Sequence, residues 1–385
     1  MGESGGGQEG GSVRRGIALR ATTILSFPRL QPAPAPGEGT LRSARVTDPE
    51  FIAGSLGQRA RYHPPAMGLR HHYWTIAPRI AHSFRPFQCL PGEPWSLEIE
   101  DPKMGPVVLT GRLHDRREGG QGGDLVVIVH GLGGSCESRY VRLAAAAVER
   151  AGLSVLRLNL RGSDRSGTDF YHAGLTADLA SALGSPELAG FKRIHLLGYS
   201  LGGHVALRFA ALEPEPRLSG VVAVCAPLDL ALSAAAIDRP ALAIYKTYLV
   251  RHLKEIYQPV AARHPELTPF ERVRGIRSLR AWDDAVVAPR HGFASGADYY
   301  AKASVAPHLD KLRVPALLLQ AEGDPMVPAA TVRPALSRAY PNLEVRWLRR
   351  AGHCGFPEPF ELTFSADREA RLEDQALGWL TGREA

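Results

Sequence analysis

The chain has 385 residues, 44% hydrophobic and 22% charged, an ordinary globular composition that is long enough for one large domain or two small ones. Its net charge of +7 is scattered, with no block of like charges and no aromatic residues woven into a basic strip, so nucleic acid is not an expected partner. Cys89, Cys136, Cys225 and Cys354 lie far apart without Cys-x-x-Cys spacing; they read as reduced thiols of a cytoplasmic protein, and neither a disulfide framework, a metal site nor a cofactor is expected.

Residues 1–50 are rich in glycine, proline and alanine, too poor in apolar surface to offset the entropy of ordering, and are expected to be a disordered extension. Within them Val13 to Leu30 faintly resembles a targeting segment. Arg20 breaks its apolar part, Pro28 ends it, and it is too short to span a bilayer, so no signal peptide or membrane segment is expected. Residues 51–385 are expected to form one domain. Its first stretch, Phe51 to Pro94, has little periodicity and reads as chain wrapped over a core built elsewhere. His63, His71, His72 and His82 lack metal-ligand spacing and read as surface or capping histidines.

Ser96 to Glu100 and Val107 to Leu113 alternate apolar and polar residues around a Pro/Gly turn, which predicts an antiparallel hairpin. Strand and helix then take turns. Leu125 to Val129 is a continuous apolar run, as in a strand covered on both faces. Helical Tyr140 to Ala151, a strand over Ser154 to Asn159, a helix near Leu175 to Leu183 and a strand over Arg193 to Leu197 follow. Helix Leu201 to Leu212 and strands Gly220 to Cys225, Ala316 to Gln320 and Leu343 to Leu348 continue the pattern. The alternation predicts an α/β fold with a mostly parallel central sheet flanked by helices. Ligands of such sheets bind beyond the carboxyl ends of the strands.

Four strand ends there carry chemistry. The strand over Arg193 to Leu197 runs into Gly198-Tyr199-Ser200-Leu201-Gly202, a Gly-x-Ser-x-Gly at a strand-to-helix turn, where small neighbours let the turn lift the serine hydroxyl clear of the sheet. Val129 leads into His130-Gly131-Leu132-Gly133-Gly134-Ser135, where the Leu132 amide would pair with the Leu201 amide as an oxyanion hole. Asp324 and His353 each follow a later strand, giving the chain order Ser, Asp, His. Serine is a weak nucleophile at neutral pH and needs a base such as imidazole; Asp324 would hold the tautomer of His353 and stabilise its imidazolium. The expected reaction is attack of Ser200 on an acyl ester, small or lipid, with His353 as general base and hydrolysis of an acyl-enzyme. Transfer of the acyl group to another alcohol would use the same residues, and a ligand-binding protein on the same scaffold is a further alternative.

Several stretches together resemble the YheT-type branch of the α/β-hydrolase superfamily, which includes bacterial esterase-like proteins and eukaryotic membrane-associated lipid hydrolases. They are His130 to Ser135 with Tyr140, Asn159-Leu160-Arg161-Gly162, Tyr171-His172-Ala173-Gly174, Gly198 to Gly203, Ala351 to Phe356, and Trp282-Asp283-Asp284 through Pro289-Arg290-His291 to Asp298 and Ser304. The resemblance implies an α/β-hydrolase fold and a serine hydrolase with Ser200, Asp324 and His353 as its charge-relay set. The family's eukaryotic members carry an N-terminal membrane anchor; nothing in this sequence matches it, so a soluble protein is expected. His204 departs from the family's usual Asn; it stands one turn beyond Ser200 and is either a packing residue or a rival proton acceptor. Between about 227 and 304 the alternation lapses. Amphipathic Ala241 to Tyr257, with Ala241, Ile244, Tyr245, Tyr248, Leu249 and Leu253 near one face, reads as a helical cap inserted before the Asp-bearing strand, or as plain surface packing.

Overall fold

The computed structural model describes residues 70–76, 89–356, 362, 364 and 371–382. The expectations for residues 1–50, and for His63 and His82, lie outside these residues. Eight strands form one sheet: β1 (Glu93–Asp101), β2 (Gly105–His114), β3 (Asp124–Val129), β4 (Ser154–Leu158), β5 (Arg193–Tyr199), β6 (Leu218–Val224), β7 (Ala316–Ala321) and β8 (Leu343–Leu348), in the order β1-β2-β4-β3-β5-β6-β7-β8. β1 and β2 are the expected hairpin, and β2 pairs antiparallel with β4. Every pairing from β4 to β8 is parallel.

The longer helices after β1 are α1 (Arg139–Arg150), α2 (Ala177–Leu183) and α3 (Leu201–Leu212); α4 (Leu230–Ile237), α5 (Ala243–Arg263) and α6 (Gly296–Ala303) between β6 and β7; and α7 (Leu372–Thr381) after β8. The sheet separates two cores, and β3 shows why its apolar run is unbroken. Leu125, Val127 and Val129 pack with Leu179 of α2 and Leu207 and Phe209 of α3. Val126 and Ile128 point the other way, into Val141, Ala145 and Val148 of α1 and Leu377 of α7. With successive side chains alternating between faces, a strand covered on both sides is apolar at every position.

Shorter helical pieces at Leu279–Trp282, Asp283–Val287 and Ala288–His291 join α5 to α6. α5 differs from its expected face. Tyr245, Leu249, Ile256 and Val260 are buried, whereas Ile244 is 66% exposed and Ala241 is exposed. A tight turn at Pro240–Leu242 precedes the helix, so Ala241 lies outside it and Leu242 takes the buried place at its start.

A buried ion network ties this inserted region to the sheet edge. Arg161 Nη1 donates to Asp101 Oδ2 at 2.6 Å and Asp169 Oδ2 at 2.8 Å, and Arg161 Nε to Asp178 Oδ2 at 2.9 Å. Arg290 Nε donates to Asp169 Oδ1 at 2.9 Å. The planar guanidinium holds five N–H donors in a fixed fork and so serves several carboxylates at set angles, where a lysine offers three donors on one rotating point charge.

Candidate active site

A single residue, Ser200, separates β5 from α3, and it adopts φ +52°, ψ −119°. Its amide donates to Val224 O of β6 at 2.7 Å, which pins the turn to the neighbouring strand. The flanking glycines are sterically required. A Cβ on Gly198 would lie 2.3 Å from Gly202 O, and one on Gly202 would lie 2.2 Å from Val129 O. A non-glycine residue in such a backbone region is strained and persists only where its surroundings hold it.

The loop after β3 runs against this turn, close enough that a Cβ on Gly131 would lie 3.0 Å from Ser200 Cβ. Two tyrosines set its path: Gly131 N donates to Tyr140 Oη at 2.9 Å and Gly133 N to Tyr171 Oη at 2.8 Å. Burial pushes both phenols above their ordinary range, so each stays a neutral hydroxyl with a lone pair to offer. Leu132, between the two anchored amides, lines one cavity with Ser200 and Leu201.

Asp324 follows β7 and is 1% exposed. Its Oδ1 accepts from Met326 N at 2.8 Å and Val327 N at 2.9 Å, while Oδ2 lies 2.8 Å from His353 Nδ1. The two amides fix the carboxylate's orientation and leave its other oxygen for the imidazole. Burial pushes the His353 imidazolium down, but the Asp324 carboxylate and the Cys354 thiol group outweigh it and hold His353 well above the ordinary histidine range. His353 lines the same cavity as Ser200. Among the described residues no hydrogen bond joins the two side chains; such contacts commonly tighten only when substrate binds.

The His353 loop has a support that no local pattern announces. His353 N donates to Thr75 Oγ1 at 2.9 Å, Thr75 Oγ1 donates to His71 O at 2.8 Å, and His71 Nδ1 lies 2.8 Å from Ala351 O. The helix at 70–76 thus lies against the loop so closely that a Cβ on Gly352 would meet Thr75 N at 2.6 Å. His71 is not the surface residue its spacing allowed: it is buried, and its ring holds the loop that carries His353. His204 is fully buried, with Nδ1 2.8 Å from Pro227 O and Nε2 2.9 Å from Ala303 O. Burial lowers its pKa to about 4, against the pull of the Pro227 and Ala303 carbonyls. Both ring nitrogens face the two ends of the inserted region, the packing role rather than the rival acceptor.

The cavity measures about 400 Å³. Its walls beyond Ser200 come largely from the region between β6 and β7, including Leu230, Ile237, Leu249 and Trp282. One polar pair interrupts them: Tyr300 Oη donates to Asp283 Oδ2 at 2.5 Å, and burial raises the Asp283 carboxyl to about 7 in spite of that bond.

A strand-to-helix serine turn, a glycine loop beside it and a carboxylate–imidazole pair beyond the ends of a parallel sheet define a hydrolase scaffold. The chain belongs to the alpha/beta hydrolase fold family, whose sequence profile matches residues 124–360. It is similar to YheT of Escherichia coli (strain K12), named an esterase, with 29% identity over 264 residues that cover 66% of this chain and 76% of that protein. It is also similar to the medium-chain fatty acid ethyl ester synthase/esterase 2 of Saccharomyces cerevisiae, at 26% over 53% of this chain and 51% of that one. The monoacylglycerol lipase of the same yeast is 24% identical over 53% of this chain and 48% of its own. The chain thus spans about half the length of both yeast relatives. Among solved structures, the Pyrococcus furiosus esterase Pf2001 aligns with a TM-score of 0.44 at 19% identity, over 69% of this chain and 88% of that one.

Proposed function

We propose that this protein is a serine ester hydrolase in which Ser200 is the nucleophile, His353 the general base and Asp324 the residue that orients it. The observation that carries this reading is a serine at positive φ on a strand-to-helix turn, lining one cavity with a histidine whose Nδ1 is held by a buried carboxylate at 2.8 Å. In its neutral form, with Nδ1–H donated to Asp324, His353 carries its lone pair on Nε2, the nitrogen that takes the Ser200 proton as Oγ attacks the acyl carbon; the raised imidazolium pKa strengthens that base and requires the proton to be released first. The carbonyl oxygen gains charge as the tetrahedral intermediate forms, and the amides of Leu132 and Leu201 are its assigned donors. His353 then returns the proton to the leaving alcohol, and water, activated in the same way, cleaves the acyl-enzyme.

Residues 227–304 act as a cap on this reading, because apolar side chains from that region wall the cavity into which the acyl chain extends. The names of the relatives support ester substrates, and the apolar walls favour an acyl chain over a short polar acid. Transfer of the acyl group to an alcohol remains a second product channel, supported by the yeast relative named both synthase and esterase. Four cysteines without disulfide partners support a cytoplasmic setting, and no described helix is long and apolar enough to cross a membrane. The test is a panel of p-nitrophenyl esters of graded chain length, with and without added ethanol. Hydrolysis should rise with chain length until the cavity is filled and should vanish in Ser200→Ala. A Ser200→Ala protein with wild-type turnover would overturn the reading.

A further inference from the structure

Two cysteines that the sequence keeps far apart meet beside His353. Cys225 directly follows β6 and is fully buried, while Cys354 adjoins His353 and lines the cavity. Their Sγ atoms and one ring nitrogen of His353 all lie within 4.8 Å of one another. Both cysteines have positive φ, +52° and +53°. Neither thiol is a nucleophile or proton carrier in the serine mechanism, although Cys354 adds to the raising of His353.

Two thiols and an imidazole are a soft donor set. It suits zinc-like ions and does not suit calcium or magnesium, which take oxygen ligands. Around a tetrahedral zinc, bonds of about 2.3 Å to sulfur and about 2.0 Å to nitrogen separate the ligand atoms by roughly 3.5–3.8 Å, so the cluster would have to contract by about 1.3 Å at most. The outer partner is present as well. Metal-binding histidines commonly donate their second ring N–H to a carboxylate; His353 Nδ1 lies 2.8 Å from Asp324 Oδ2, so an ion bound through Nε2 would have that partner. With three protein ligands, the fourth position is left to water or a ligand from the cavity that Cys354 borders.

We propose that Cys225, Cys354 and His353 form a reversible site for a thiophilic divalent cation of the zinc class, and that its occupation withdraws His353 from proton transfer. The second half rests on the ester-hydrolase reading given above; the first half does not. Binding needs the two thiols as thiolates and the imidazole neutral, so the ion takes up the same lone pair that would receive the Ser200 proton.

The experiment is a titration of metal-free, reduced full-length protein with Co²⁺, followed by displacement with Zn²⁺. The expected result is a thiolate-to-cobalt charge-transfer band that saturates at one ion per chain, is bleached by zinc, and persists in Ser200→Ala, Cys89→Ser and Cys136→Ser. Cys354→Ser and Cys225→Ala should each lose the band and weaken zinc binding by about 100-fold or more. Absence of the band, or its survival in Cys354→Ser, overturns the site; because Cys354 borders the cavity, that variant decides the matter even if Cys225→Ala fails to fold. Saturating zinc should also slow ester hydrolysis at least tenfold, reversibly with a chelator. A full band with unchanged hydrolysis overturns the withdrawal of His353 alone. Wild-type hydrolysis by Ser200→Ala with the band intact overturns the serine mechanism and leaves the metal site standing.

Discussion

Replacing Asp324 with asparagine separates the tautomer role of the carboxylate from its role in holding the loop. Oδ1 accepts from the amides of Met326 and Val327 at 2.8 and 2.9 Å, and only an oxygen can occupy that position. The asparagine therefore keeps its oxygen there and turns its NH₂ group toward His353 Nδ1, 2.8 Å from the replaced Oδ2. A donor at that place forces Nδ1 to accept, which puts the imidazole proton on Nε2, the nitrogen that must be free to take the serine proton. The expected loss in kcat is about 10⁴-fold, or roughly 5.4 kcal/mol of transition-state stabilisation. The fold should lose only a charge-assisted hydrogen bond, about 1.5–3 kcal/mol. Asp324→Ala should lose similar activity and more stability, because two amides are also left without an acceptor at about 1–3 kcal/mol each. Initial rates on a p-nitrophenyl ester and urea unfolding of the three proteins supply the numbers. Asp324→Asn that folds and keeps a tenth or more of wild-type kcat would refute the reasoning.

Gly198→Ala should destabilise the protein by about 3 kcal/mol or more, since its Cβ would sit 2.3 Å from the backbone oxygen of Gly202, which cannot swing away; urea unfolding midpoints check this, and an unchanged midpoint would contradict it. Thr75→Val keeps the shape of the side chain but removes the acceptor of His353 N–H, so about 1–3 kcal/mol of stability should go, together with kcat. An effect on KM alone would show that Thr75 only shapes the pocket. Asp283 is an acid raised by burial from 3.8 to about 7, so folding disfavours its ionised form: the penalty is absent below pH 3.8, grows as pH rises, and is complete above about 7. The interval sets an upper limit of roughly 4 kcal/mol, and Asp283→Asn, which can still accept from Tyr300, should lose that share of the stability decline between pH 5 and 7.5. Unfolding free energies at the two pH values test it, with equal slopes as the failing result.

Local signals carry the central sheet. The unbroken run Leu125 to Val129 implies cover on both faces, and the small residues around Ser200 imply a tight turn between strand and helix; the fold has both. Asp324 and His353 were legible as candidates because each lies in the loop after a strand, and parallel strands bring such ends to one edge of the sheet. Contacts between residues distant in sequence were not legible. Thr75 and His71 meet the loop of Ala351 to His353 across most of the chain, and nothing near either end foretells it. Arg161 and Arg290 entered only through family resemblance; their reason is the shared carboxylate of Asp169. Cys225 and Cys354 gave no spacing signal because each sits on a different strand end. The face of α5 was misjudged at Ala241 and Ile244, since periodicity gives a helix's stripe but not the residue at which a preceding turn lets the helix begin.

The central claim is that Ser200 is a nucleophile activated by His353. Incubation with a fluorophosphonate followed by peptide mass spectrometry tests it most directly. The account predicts one covalent adduct per chain, on the peptide that contains Ser200, with none in Ser200→Ala and slow labelling in Asp324→Asn. Labelling that persists in Ser200→Ala, or a folded wild-type protein that takes up no label, would contradict it.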